Sequence, residues 1–222
     1  MRSLLFPIMI VIAAVLGQAN AANTVGDTIS VRRAFIEMPG SILDLLSRST
    51  RLDMLDYYDA DSLWMAPNAL DGRSVLRKVT SDFIELQITS VSTLQIKVLP
   101  LKGKGDIVAV CYTIDSADAS NDSELRFFNS QMQELPAKNF FKPLQLKDFF
   151  NIPKGSLTTM GEIRQMVPFP TVEYKLEAGN ADLTARLTVK EYINQDDIKI
   201  LELFQRPKLT FGWDGKKFVQ MK

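Results

Sequence analysis

With histidine absent, carboxylates are the leading candidates in this sequence for a general acid or base. The chain has no histidine and a single cysteine, Cys111. That removes the Ser-His-Asp and Cys-His nucleophile systems and every His-ligated zinc site. One cysteine makes neither an intramolecular disulfide nor a thiolate cluster. The densest acidic group is Asp53, Asp56, Asp59 and Asp61. Asp53 and Asp56 fall one helical turn apart on one face, and two carboxylates held at about 5 to 10 Å can hydrolyse glycosidic bonds. The plainer reading is the solvated side of an amphipathic helix, with Leu52, Leu55 and Tyr58 inward. A second oxygen-rich stretch, Asp115, Asp118, Asn121, Asp122 and Glu124, lacks the EF-hand order and reads as a solvated hairpin loop. Gly103-Lys104-Gly105-Asp106 lacks the spacing of a phosphate loop and reads as a hairpin turn. Cys111 reads as a small core residue. Trp64 and Trp213 are the candidate ligand-binding residues, because exposed tryptophans anchor partners or sugars, although aromatic packing is their commoner use. No metal-ligand spacing and no nucleotide fingerprint is present, so no cofactor and no metal is expected, with calcium alone left open by the acidic loop.

The scaffold that must position these groups is an ordinary globular one. Of 222 residues, 46% are apolar and 23% charged, which rules out wholesale disorder and fibrous repeats. The 26 basic and 26 acidic residues cancel, against the basic excess of nucleic-acid binders. Met1 to Ala21 reads as a secretory signal peptide: Arg2, the apolar run Leu4 to Leu16, then the small-x-small site Ala19-Asn20-Ala21. The run is shorter than the roughly 20 residues of a membrane span, and no cysteine follows it to carry a lipid anchor. The expected product starts at Ala22, is periplasmic or secreted, is soluble and not a lipoprotein, and makes no stable membrane insertion.

Along the chain, Ala34-Phe35-Ile36 reads as a short strand, and Pro39-Gly40 as a turn. Helices then start at Ser41 and Thr50, each with an acid three residues on. Ile84, Leu86 and Ile88, and then Leu94, Ile96 and Val98, alternate with polar residues as half-buried strands do. Ile107 to Ile114 is apolar on both sides, the pattern of a doubly covered strand, and Leu125 to Phe128 begins a fourth. Past Pro136 the order recurs. Leu144 to Phe150 reads as a short helix, and Thr159 with Glu162 as a capping box. Strands follow at Val172 to Leu176, Leu183 to Val189 and Ile198 to Leu203. Leu209 to Trp213 turns through Asp214-Gly215 to Phe218, the strongest hairpin signal in the chain.

These elements predict an α+β fold, a tandem of two units with two short helices on a four-stranded antiparallel sheet in each. The units span 22–135 and 136–222, after a signal peptide at 1–21. In the paired halves, Thr50/Asp53 corresponds to Thr159/Glu162, and Asp106-Ile107 to Asp197-Ile198. The polar alternates Glu85, Gln87, Gln95 and Lys97, and Glu173, Lys175, Thr184 and Arg186, are expected to remain solvated. Charge reversal at Lys97 or Arg186 would then change stability by only about 0.5 kcal/mol.

The segments Ala34 to Leu43, Arg48 to Tyr58, Gly72 to Leu76, Ser92 to Leu94 and Val110-Cys111 carry a resemblance. The chain resembles an exported family of Bacteroidetes known only as a domain of unknown function, most strongly from Ala34 to Phe128. At the level of fold, the tandem units are similar to the architecture of the bacterial β-lactamase inhibitor protein. Neither resemblance brings a catalytic or binding residue with it.

The sequence favours an exported non-enzymatic binding or interaction protein, acting on a protein or polymer partner through a sheet face or loop edge. The alternative is a carboxylate-based hydrolase of glycans using Asp53 and Asp56.

Overall fold

The structure, a computed structural model, describes residues 28–114, 121–189 and 193–221. The expected signal peptide and the acidic-loop residues Asp115 and Asp118 lie outside them. Three helices come first. α1 (Val31–Ile36) is capped by Ser30, whose hydroxyl accepts from Arg33 N at 3.2 Å. The strand expected at Ala34 to Ile36 is therefore a helix. Val31, Ala34 and Phe35 are its buried residues, at the i, i+3, i+4 spacing of one helical stripe. α2 (Gly40–Leu43) is a single turn, and α3 (Arg48–Asp59) is capped by Ser47 rather than Thr50. Arg51 of α3 is buried and ties the three together. Its guanidinium donates to the carbonyls of Ile36 at 2.9 Å, Met38 at 2.8 Å and Leu46 at 3.0 Å. A buried cation is tolerated there because several helix-end carbonyls, which lack partners of their own, surround it.

The first sheet is an antiparallel meander in chain order: β1 (Ala66–Pro67), β2 (Arg73–Val79), β3 (Phe83–Thr89), β4 (Ser92–Leu101), β5 (Gly105–Ile114), β6 (Asp122–Phe128) and β7 (Glu134–Leu135). It holds seven strands where four were expected. β2 escapes the alternation rule because its register shifts between Leu76 and Lys78, so buried residues run consecutively. β5 is covered on both faces, as its sequence implies. Val108 and Val110 join the helices in one core with Phe35, Leu55 and Leu86. Ile107, Ala109 and Cys111 face a second core with Phe127 and the rest of the chain.

That second core is closed by α4 (Met160–Met166), β8 (Val172–Leu176), β9 (Asp182–Leu187), α5 (Gln195–Phe204), β10 (Leu209–Trp213) and β11 (Phe218–Gln220). The four strands form a second antiparallel sheet in the order β11-β10-β9-β8. The capping box of Thr159 and Glu162 opens α4 as the sequence predicts. The stretch Ile198 to Leu203 is not a strand. Asn194 caps α5 by accepting from Asp197 N at 2.8 Å, and Asp196 and Asp197 sit at the positive end of the helix. The correspondence of Asp106-Ile107 with Asp197-Ile198 therefore fails, strand against helix. The fold is α+β with two antiparallel sheet units, and no helix among the described residues is long and apolar enough to cross a membrane.

The two sheets meet along β8. Its outward N–H groups, at the edge of the second sheet, are taken by side chains of the first. Asp122 Oδ1 accepts from Val172 N at 3.2 Å, Ser123 Oγ from Tyr174 N at 3.0 Å, and Gln95 Oε1 from Leu176 N at 2.9 Å. Cys111 Sγ lies 3.3 Å from Tyr174 O, and Lys97 Nζ lies 3.4 Å from Ala178 O. Burial at this seam pushes the Tyr174 phenol up to about 12. The expectation of a solvated polar face is overturned here. Gln95 and Lys97 are buried, because the second unit covers the middle of the first sheet. Lys97 is 2% exposed and pairs with Asp82 at 2.8 Å. Arg186, by contrast, is exposed and pairs with Glu173 at 2.7 Å.

The two charge reversals, alike by sequence, therefore separate. Lys97→Glu places a carboxylate beside Asp82 and the Ala178 carbonyl and should cost about 3 kcal/mol or more. Arg186→Glu should cost under about 1 kcal/mol, as for exposed pairs. Urea denaturation of both variants checks this; equal losses would contradict the seam.

Candidate functional site

The exposed apolar side chains nearest to the sequence candidates lie on the segment joining α3 to β2. α3 ends in a Schellman arrangement: Ser62 N donates to Tyr57 O at 3.0 Å and Asp61 N to Tyr58 O at 3.1 Å. The residue in the left-handed position is Asp61, at φ 52°, where glycine is the usual choice. The reversal lays the Trp64 ring on Tyr57, centroids 4.8 Å apart and planes 27° apart. Tyr58 is held from the other side, its hydroxyl accepting from Val79 N at 3.0 Å.

Beyond Trp64, buried Asn68 fixes the turn into β2. Its Oδ1 accepts from Leu70 N at 3.1 Å and Gly72 N at 3.0 Å, while Nδ2 donates to Ser74 Oγ at 3.2 Å and Ile88 O at 3.1 Å. Ala69 N also reaches back to Leu45 O at 3.0 Å. A loop pinned at so many points presents its outward side chains in fixed positions, and alongside Asp61, Ser62 and Asp71 these include three large apolar ones. Leu63 is 74% exposed, Leu70 66% and Met65 53%.

Two clefts flank β2. One, of about 280 Å³, is lined by Tyr58, Asp61, Trp64, Leu76 and Arg77. The other, of about 460 Å³, is lined by Met65, Leu70, Arg73, Val75, Arg77 and Gln87. Arg77 borders both and donates its Nε to Gln87 Oε1 at 3.0 Å. The arrangement supplies an aromatic surface, an apolar rim, cations and one carboxylate. It offers contacts to a ligand, not a paired acid and base.

Of the candidates raised by sequence, Trp64 lies in this site and Asp61 joins it. Asp53 and Asp56 are exposed on α3 and line neither cleft. Asp59 is engaged by the Arg32 guanidinium at 2.8 and 2.5 Å, which holds its carboxyl below the usual range. Trp213 packs beside Phe140 and Phe218, and its indole N–H donates to Pro100 O at 2.8 Å. Among the described residues no three His, Cys, Asp or Glu side chains are grouped to hold a metal ion. Asn121 and Asp122 of the acidic loop bond to Glu173 and to Val172 N. Asn68 was invisible as a site residue; its one signal was the turn chemistry of Pro67-Asn68 and Asp71-Gly72.

Asp61→Gly should relieve the left-handed backbone and raise stability by about 1 kcal/mol. Thermal denaturation of this variant measures it. A loss instead would mean that the aspartate side chain stabilises the loop by more than its backbone strain costs.

Residues 26–218 match the family described as "Protein of unknown function (DUF3256)". A solved structure described as a domain of an uncharacterized protein from Porphyromonas gingivalis W83 superposes with a TM-score of 0.72 at 21% identity. The match covers 85% of this chain and 98% of that one, and at such identity the likeness is one of fold alone. No curated protein matches the chain. These matches lend nothing to the likeness with the β-lactamase inhibitor protein, and the unequal sheets, seven strands and four, depart from two equal units. With 26–218 of 222 residues matched, the chain belongs to this family of unknown function.

Proposed function

We propose that the protein is an exported, non-catalytic binding module that holds a protein or polymer partner at the rim of Leu63, Trp64, Met65 and Leu70. The observation that carries this reading is the Tyr57–Trp64 stack beside its cleft, on a loop pinned by Asn68. Clustered exposed apolar side chains on a soluble protein mark interaction surfaces, and a rigid loop loses little entropy when it binds. The units 22–135 and 136–222 then act as one body, the second bracing the sheet that carries the loop. Export rests on the signal-like Met1 to Ala21. The reading involves no cofactor, metal or nucleic acid. A glycan hydrolase built on Asp53 and Asp56 draws no support from the two clefts beside β2, since neither residue lines either of them.

A photo-crosslinking residue placed at Leu63 in cells should give a discrete adduct, and one at Leu157, also exposed, should not. Trp64→Ala should weaken adduct formation at least tenfold, about 1.4 kcal/mol or more, as expected for a buried aromatic anchor. Circular dichroism would show the variant folded. Adducts indifferent to Trp64, or equal from both positions, would contradict the assignment.

A further inference from the structure

A second surface, sharing no residue with the Trp64 loop, lies along β11. A cleft of about 320 Å³ is lined by the lysines Lys138, Lys142 and Lys217, by the buried Phe141 and by the half-buried Leu144. All three lysines are exposed, and none forms an ion pair among the described residues. The one acid in the lining, Asp148, is occupied at its own helical turn, Oδ2 accepting from Gln145 N at 2.8 Å.

The other wall of this cleft is a strand edge. Asp214 N donates to Lys217 O at 3.1 Å and Met221 N to Thr210 O at 2.8 Å. Antiparallel alternation then points the backbone of Val219 toward Gly212, and the backbones of Phe218 and Gln220 away from the sheet. Phe218 N is taken by Phe140 O at 2.8 Å. The outward N–H and C=O of Gln220 meet no partner among the described residues. Unpaired edge groups are a template for another strand. Lys142 and Lys217 come from distant parts of the chain and converge only because the hairpin folds back onto the segment after β7.

We propose that this groove takes an extended acidic peptide segment of a partner protein as an added strand on β11. The backbone of such a segment pairs with Gln220, alternate side chains rest on Phe141 and Leu144, and its carboxylates meet the three lysines. Strand addition draws affinity from main-chain hydrogen bonds and specificity from alternate side chains, and this cleft offers both. The chain as a whole is neutral, so the attraction is local to the groove. The free N–H and C=O of Gln220 favour a peptide over a polyphosphate or a lipid surface, since neither carries amides to pair with them.

Titration calorimetry of the full chain with a synthetic peptide of alternating Glu and Val tests this. The peptide should bind, and Lys142→Glu combined with Lys217→Glu should weaken it at least tenfold. Methylating the alternate backbone amides of the peptide, with every charge kept, should weaken it at least tenfold as well. In an amide spectrum the Gln220 signal should shift on binding. Trp64→Ala should change none of this, which separates the groove from the reading above. No binding by the parent peptide, equal binding by the methylated one, or tighter binding by inorganic polyphosphate would overturn the proposal.

Discussion

An edge strand laid against another sheet carries a row of backbone N–H groups that must find acceptors or remain unsatisfied as water is excluded. Everything in the second half of this protein depends on how that demand is met at β8. Val172, Tyr174 and Leu176 present their N–H groups outward, and Asp122, Ser123 and Gln95 accept them. These acceptors come from β4 and β6 and are spaced to match alternate residues of β8. The usual protection for an edge is a bulge, a charge or a covering element. Here the cover is the polar part of a neighbouring sheet face, and Ile107, Ala109, Cys111 and Phe127 supply the apolar part of the same contact.

The consequence is a layered body, with helices on one face of the long sheet and a second sheet on the other. The β2–β3 end of that long sheet extends beyond the second unit, and there Arg77 and Gln87 remain at the surface while Lys97, two strands in, is buried. The candidate site at the α3–β2 loop therefore sits where the first sheet is covered by helices alone. Its stiffness comes from two buried polar residues, Arg51 beneath the helices and Asn68 under the turn. Each occupies backbone groups that would otherwise have no partner, which is why polar side chains appear in a mostly apolar interior.

Much of this was legible in residue patterns, and the misses share a cause. β3, β8 and β9 alternate because one face of each meets an apolar core, β4 alternates because its second face is covered through the polar Gln95 and Lys97, and Asp214-Gly215 marks its hairpin without ambiguity. Gly215 is also required there: at φ 92°, any Cβ would lie 2.7 Å from the Lys102 side chain. α1 and α5 looked like strands because short contiguous apolar runs fit either period, and the caps Ser30 and Asn194 decide the matter. Gln95 and Lys97 looked solvated because their partners, Leu176 and Ala178, lie in another unit and leave no local trace. Trp64 was raised as a candidate from its type alone. Asp61 and Asn68 matter through backbone geometry, which composition does not display.

The seam at β8 makes the two sheets one cooperative structure, and native-state hydrogen exchange tests that most directly. The amides of Tyr174 and Leu176, whose bonds lie inside the seam, should exchange as slowly as those of β4 and β5, through global unfolding alone. If they exchange orders of magnitude faster, at the rate of a frayed edge while β9 stays protected, then the side chains of the first sheet do not hold β8. The two halves would then not be joined through the side chains of this seam.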